Sequence, residues 1–268
     1  MYMKNILIVA VAIFSVNAIA DYPSSFANAK KKAEQEVYFD RSSTFYCGCD
    51  FVFDDVDDKD QDGNLHETMI YPESCGYEPR NPITKKGKDN ARVSRIEWEH
   101  IVPAHVIGGH LPQWKDPKNF PECHKSNGKY LTGRKCAYKS NSAFKRGHDD
   151  LNNLVPAVGE LNGDRSNYSF AIIEGEKRTY GQCNFEVDFK VKTTEPPENV
   201  RGNIARTYFH MAKEHAAKID DTSLKLFKEW DKLDPIDEWE CTRNQRIIDA
   251  QGLGNSFVTK VCQQLDKH

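Results

Sequence analysis

The chain has 268 residues, 37 Lys and Arg against 40 Asp and Glu, and 38% apolar residues. Beyond the N-terminus no stretch is apolar enough to span a bilayer, which takes about 20 consecutive apolar residues. The formal net charge of −3 gives no overall basic balance of the kind that nucleic-acid-binding proteins usually show.

In chain order, residues 1–20 read as a secretory signal peptide. Lys4 gives a positive start, Ile6 to Val16 is an almost unbroken apolar run, and Ala18-Ile19-Ala20 is a small-residue cleavage site before Asp21. The expected mature chain, 21–268, is exported to the periplasm or the medium. It loses only the charge of Lys4, leaving 36 basic against 40 acidic side chains, or −4. No Pro/Gly/Ser linker and no repeat divides it, so it is read as one domain.

Tyr38 to Phe53 and Arg92 to Trp98 carry strand-like residues, and Phe185, Val187, Phe189 and Val191 alternate as a half-buried strand does. Asp58-Lys59-Asp60-Gln61-Asp62-Gly63-Asn64 resembles the start of a calcium-binding loop. Its twelfth position is Met69 where a bidentate Glu is needed, so an ordinary acidic turn is expected. Gly108 to Gly147 is long, basic and glycine-bearing with little periodicity, and is read as a functional loop held in order by a disulfide. Thr193 to Asn199, with Pro196-Pro197, is the clearest break. Val200, Ile204, Tyr208, Met211 and His215 fall at helical spacing over 200–218. Asp234-Pro235 reads as a cap and first helical position of a helix running to Gln251-Gly252. Trp98 and Trp239 are expected as core aromatics.

Eight cysteines, Cys47, Cys49, Cys75, Cys123, Cys136, Cys183, Cys241 and Cys262, suit an oxidising compartment and imply structural disulfides. None forms the C-x-x-C pair of a zinc site. Cys47 and Cys49 are too close to close on each other easily, so each reaches elsewhere. Sequence nearness favours Cys123 with Cys136 and Cys241 with Cys262, leaving Cys47, Cys49, Cys75 and Cys183 to pair among themselves.

Charge is unevenly placed. Lys115 to Arg146 holds nine Lys or Arg against Asp116 and Glu122, while acids gather in Asp50 to Asp62 and after Asp220. A one-sided basic surface can hold a phosphate backbone on an acidic protein. Lys125, Lys129 and Lys135 are the expected nucleic-acid contacts.

The chemistry concentrates in Glu97-Trp98-Glu99-His100-Ile101-Val102-Pro103-Ala104 and in Leu151-Asn152-Asn153-Leu154-Val155-Pro156-Ala157. Phosphodiester hydrolysis needs an activated water and charge neutralisation at the phosphate. His100, at a strand end, is suited to general-base work. Glu99 and Asn153 supply oxygens to a hard divalent ion, Mg²⁺ or alternatively Mn²⁺ or Ca²⁺, which takes few protein ligands. Arg134 can fork onto phosphate oxygens. Neighbours on a strand face opposite ways, so Glu99 and His100 share a pocket only if the chain bends out of the strand there, as Pro103 allows. Glu97 is the alternative carboxylate. His105 and His110 do not share a helix face with His100 and are read as surface loop.

These motifs stand in one order with Gly133-Arg134-Lys135-Cys136, Gly159-Glu160-Leu161-Asn162-Gly163-Asp164-Arg165-Ser166-Asn167, Arg201-Gly202-Asn203-Ile204-Ala205-Arg206 and Asp237-Glu238-Trp239-Glu240-Cys241. Together they resemble the bacterial endonuclease I family over residues 30 to 262. The resemblance implies an α+β fold with a ββα-metal (His-Me finger) core, decorated by helices and stapled by disulfides. It implies a periplasmic or secreted, non-specific, one-metal nuclease acting on DNA and also RNA, leaving 5′-phosphate ends. By motif, His100 is the general base, Glu99 and Asn153 the metal ligands and Arg134 the phosphate-holding arginine, in a monomer that does not bind membrane. Two positions depart from the family pattern: the arginine motif is one residue shorter before Cys136, and Asn152 replaces a histidine. The competing readings are a secreted ribonuclease on the same scaffold and a disulfide-rich calcium-binding or adhesion module.

Overall fold

The computed structural model describes residues 20–53, 68–175 and 177–265. The expected leader, apart from Ala20, and the calcium-loop-like stretch 58–64 lie outside the described residues. The architecture is α+β: small sheets embedded in helices. Helix α1 (Phe26–Lys32) starts on Ser25, whose hydroxyl accepts from the backbone N–H of Asn28. It runs on through a wide turn to Val37, and the small residues Ala29 and Ala33 are buried with Val37. Strands β1 (Asp50–Phe53) and β2 (Thr68–Tyr71) form one antiparallel pair.

Strands β3 (Ile96–His100) and β4 (Leu154–Val158) form a second antiparallel pair, with Glu99 opposite Val155 and His100 opposite Leu154. Helix α6 (Gly159–Arg165) follows β4 directly and packs on both strands. In the third sheet, β7 (Thr193–Glu195) pairs parallel with β5 (Ser169–Phe170) and antiparallel with β6 (Glu186–Asp188).

Between β3 and β4 lie α2 (Ala104–Gly108), α3 (Pro112–Lys115), α4 (Arg134–Ser140) and α5 (Ser142–Asp149). The C-terminal part is α7 (Arg201–His215), α8 (Asp221–Leu233), α9 (Glu238–Gln251) and α10 (Ser256–Leu265). The main core joins Phe51, Ile96, Ile101, Val155, Leu161, Ile204, Met211 and Trp230. A second cluster joins α1 to α9 through Ala29, Ala33, Val37, Tyr38, Leu154 and Ile247. It sets the N-terminal helix beside β4.

The disulfides are Cys47–Cys183, Cys49–Cys75, Cys123–Cys136 and Cys241–Cys262. The two pairs expected from sequence nearness form, and Cys47 and Cys49 do reach different partners. Several element boundaries differ from the sequence reading. Strand structure within 38–53 is confined to Asp50–Phe53, because the chain turns tightly at Gly48, whose φ of +69° suits glycine. The alternating run 185–191 leaves its strand after Asp188, whose carbonyl accepts from Lys192, so Phe189 and Val191 are exposed. Residues 108–147 are mostly short helices rather than loop, each too brief to show a helical period. The expected cap at Asp234 lies one element early. Asp234 closes α8, and Asp237 caps α9 by accepting from the N–H of Glu240.

Candidate active site

Strand alternation puts Glu97 and Glu99 on one side of β3 and Trp98 and His100 on the other. The first side meets α6. Asn162 Nδ2 donates to Glu97 Oε2 at 2.8 Å, and Arg92 pairs with the same carboxylate, Nε to Oε1 at 2.8 Å and Nη2 to Oε2. One turn along α6, Arg165 sits 3.0 Å from Glu99 Oε1, and Tyr46 Oη donates to the same oxygen at 3.1 Å. Arg165 also donates to the carbonyls of His100 and Ile101, so it fixes the chain where it leaves β3. Burial pushes the Glu99 carboxyl up to about 7, with Arg165 pulling the other way.

On the opposite side, His100 Nε2 lies 2.8 Å from the carbonyl of His148 in α5. A carbonyl only accepts, so Nε2 carries the proton and Nδ1 keeps a lone pair. His148 Nδ1 in turn donates to Asp149 Oδ1, and Tyr138 Oη donates to Asp149 Oδ2 at 2.6 Å. Phe26 of α1 stacks on the His100 ring, 5.2 Å between centroids and 29° between planes. Burial, reinforced by His148, Arg134 and Arg165 nearby, lowers the His100 pKa to about 3, so its ring is neutral at physiological pH.

His100 opens onto a cleft of roughly 780 Å³ that also takes in Glu97, Asn162 and Arg134. Arg134 is the first residue of α4. Gly133 before it, at φ +50°, makes the turn that aims it there, and the Cys123–Cys136 bridge pins the same helix. A separate cavity of about 330 Å³, behind β4 between Tyr38, Trp239 and Arg243, includes neither His100 nor Arg134.

The expected site residues are therefore only partly brought together. His100 and Arg134 share the cleft. Glu99 stands behind it, 2% exposed. Asn153 is fully buried, and both its amide atoms are committed to one residue: Oδ1 accepts from Val102 N at 2.7 Å and Nδ2 donates to Val102 O at 2.9 Å. It latches the chain just past His100 and does not line the cleft. The amide that does line the cleft is Asn162, which sequence reasoning left without a role. Its signal was present, since it lies in the quoted Gly-Glu-Leu-Asn-Gly run on the helix entered from β4.

Lys125 and Lys129 occupy the tip of a small exposed hairpin closed by His124 and Tyr130, and Lys135 is exposed on α4. None of the three lines the cleft; Lys30 and Lys31 of α1 do. Asn152, at the family's histidine position, donates to Asp150 Oδ1 and to the Leu253 carbonyl.

A second group with metal-ligating atoms is Asp150 with His210 and His215, whose donor atoms lie within 4.8 Å of one another. Both imidazole Nε2 atoms donate to Asp150 Oδ2, at 2.9 and 2.7 Å. An imidazole-rich set of this kind suits zinc or copper rather than Mg²⁺.

The Endonuclease I family model matches residues 24–262. The chain is 38% identical to an extracellular deoxyribonuclease of Aeromonas hydrophila over 254 residues, 94% of this chain and 95% of that protein. It is 39% identical to a periplasmic deoxyribonuclease of the same organism, covering 88% of this chain and 86% of that one. It is 37% identical to Endonuclease-1 of Buchnera aphidicola from Acyrthosiphon pisum, covering 85% and 78%. With the family model spanning almost all of the described chain and relatives this similar over their own lengths, the chain belongs to the endonuclease I family.

Proposed function

We infer that the protein is an exported endonuclease that hydrolyses DNA with little sequence preference. The observation that carries this reading is His100. Its Nε2–H is tied to the His148 carbonyl, which leaves the lone pair of Nδ1 to take a proton from water in a cleft shared with Arg134. The family relationship and the deoxyribonuclease names of its relatives support the substrate. We read β3, β4 and α6 as a ββα-metal (His-Me finger) core.

The residues fit a divalent ion. Asn162 gives its N–H to Glu97, which leaves its carbonyl oxygen, the ligand-type atom, for a cation. Glu99, held at Oε1 by Arg165 and Tyr46 and also met by the His100 backbone N–H, is a buried carboxylate short of compensating charge, and it faces the same helix. We assign these two as the protein ligands, with waters and substrate phosphate completing the shell, as Mg²⁺ prefers. Glu97 is saturated by Arg92 and Asn162 and is read as an orienting residue. When bound, the ion supplies positive charge to the phosphate and the leaving oxygen.

His100 Nδ1 removes a proton as the water oxygen bonds to phosphorus and the bond to the 3′ oxygen breaks. That oxygen takes a proton from solvent, leaving 3′-hydroxyl and 5′-phosphate ends. An anionic phosphate beside the ring raises the His100 pKa from its low resting value and so strengthens the base. Arg134 holds the phosphate by a charge-assisted fork. Contacts of this kind carry no base information, so RNA is expected to be cut as well.

The test is cutting of plasmid and of RNA by the purified protein, with and without chelator, beside His100→Ala. Chelation should stop cutting, and His100→Ala should lose about two to four orders of magnitude with its fold intact. A His100→Ala protein that cuts at close to the wild-type rate would sink the reading.

A further inference from the structure

Resting on that active-site reading, we propose that the N-terminal helix α1 is the second wall of the nucleic-acid channel. In this arrangement Lys30 and Lys31 hold backbone phosphates opposite Arg134, and Phe26 holds the ring of the general base. The basic stretch 115–146 suggested by the sequence supplies Arg134 alone to the cleft. The lysines lining it, Lys30 and Lys31, come from some hundred residues earlier in the chain.

Helix α1 is fastened at three points. The Asp21 N–H donates to the Gln251 carbonyl at 2.8 Å, the Phe26 N–H to Tyr138 Oη at 2.8 Å, and Lys32 Nζ to the Ala250 carbonyl at 2.8 Å. Its buried side, Ala29 and Ala33, sits in the cluster with α9. Docked this way, α1 turns Lys30 and Lys31 outward to the cleft as exposed charges, with Glu34 the acid on the same wall.

The Tyr138 contact gives α1 a second role. Tyr138 joins Phe26 to Asp149, Asp149 orients His148, and the carbonyl of His148 sets the His100 tautomer. Phe26 then covers the imidazole face. Phe26 is therefore a positioning residue, and the two lysines are binding residues.

The experiment has two arms. DNA affinity is measured against salt in the His100→Ala background, so that substrate survives, with Lys30→Gln/Lys31→Gln and Lys30→Arg/Lys31→Arg added. The Gln pair should bind about tenfold more weakly and flatten the log–log salt slope by about 0.9 for each lysine, on all sequences alike, and the Arg pair should behave as its parent. Affinity and slope equal to the parent's in the Gln pair would overturn the wall.

The second arm compares Phe26→Ala, Phe26→Leu and Phe26→Tyr in the otherwise wild-type enzyme. Loss of the ring should lower kcat about 10- to 100-fold with KM little changed, and Phe26→Tyr should restore it. Phe26→Leu keeps apolar volume should Phe26→Ala fail to fold. Wild-type kcat in Phe26→Leu, or a change in KM alone, would overturn the positioning role. If His100→Ala itself still cuts, the active-site reading has failed; if it is dead while the Gln pair binds like its parent, only the wall has.

Discussion

Glu99 and Asp150 are both buried carboxylates, 2% and 0% exposed, yet their surroundings drive them in opposite directions. Around Glu99, burial dominates and the single guanidinium of Arg165 does not offset it, so the carboxyl is pushed up to about 7. Around Asp150, burial is outweighed. His210 and His215 donate to Oδ2, while the backbone N–H of Asn152, its side-chain amide and that of Gln251 donate to Oδ1. These hold the carboxyl well below the usual carboxylate range. Burial alone therefore does not mark a functional acid; the supply of donors decides. A carboxylate short of positive charge gains from a cation, whereas one already surrounded by donors gains less.

The largest effect expected from this contrast is on catalysis. Glu99→Gln keeps an oxygen for Arg165 and Tyr46 and removes the uncompensated charge. Cutting should fall about 10³-fold, the several kcal/mol expected of a lost ion, in a protein that still folds. Asn162→Ala should behave the same way, and in both the apparent Mg²⁺ requirement should rise. If Glu99→Gln unfolds the protein while Glu97→Gln abolishes cutting in a folded one, the two carboxylates have been assigned the wrong way round.

What the sequence made legible followed from local chemistry. His100 and Arg134 were visible because each combines a distinctive residue type with a punctuating neighbour, Pro103 in one case and Gly133 with Cys136 in the other. Cys123–Cys136 and Cys241–Cys262 were visible because their partners are near in the chain. The surroundings of Asn153 were not legible, because an asparagine carries the same label whether its amide meets an ion or a backbone. Only the pairing of β3 with β4 brings it onto Val102. The α1 wall was invisible for a related reason. Lys30 and Lys31 reach the cleft only through packing of Ala29 and Ala33 on α9, a contact between segments more than 200 residues apart.

The scaffold side of the comparison is read in stability. Asp150→Asn leaves two imidazole N–H groups facing an amide in place of a carboxylate. The loss should be about 3 kcal/mol or more, the usual cost of breaking a buried charged network. The pH dependence has a definite sign. A carboxyl lowered in the folded state stabilises above its unfolded value of about 3.9, and that contribution disappears as pH falls toward the folded value. Wild type should therefore lose thermal stability steeply on acidification below pH 4, and Asp150→Asn should show a shallower acid limb. Parallel acid limbs would mean that Asp150 carries none of it.

A smaller effect separates latch from ligand. Asn153→Ala removes both hydrogen bonds to Val102 and leaves that backbone N–H and C=O unpaired in the core. The expected cost is about 1–3 kcal/mol by chemical denaturation. Metal affinity, measured calorimetrically on the folded protein, should change far less than in Asn162→Ala. Equal losses of metal affinity in the two variants would return Asn153 to the coordination shell.

The smallest expected effect is none at all, and it bears on Asp150 most directly. Were His210 to bind an ion through Nε2, its proton would move to Nδ1, which is buried and has no hydrogen-bond partner. Ligating histidines almost always give that second N–H to an acceptor. In the present arrangement Nε2–H already goes to Asp150. The cluster is therefore expected to need no cation. Treatment with a strong chelator should abolish cutting, and any fall in the thermal midpoint should come from the cleft ion alone and so be absent in Glu99→Gln, since a group that binds no ligand contributes no linkage term. If the midpoint falls on chelation, Glu99→Gln and His210→Gln tell where the ion was. A fall that persists in Glu99→Gln but vanishes in His210→Gln would make Asp150, His210 and His215 a structural metal site, and the contrast between the two carboxylates would be one between two different ions.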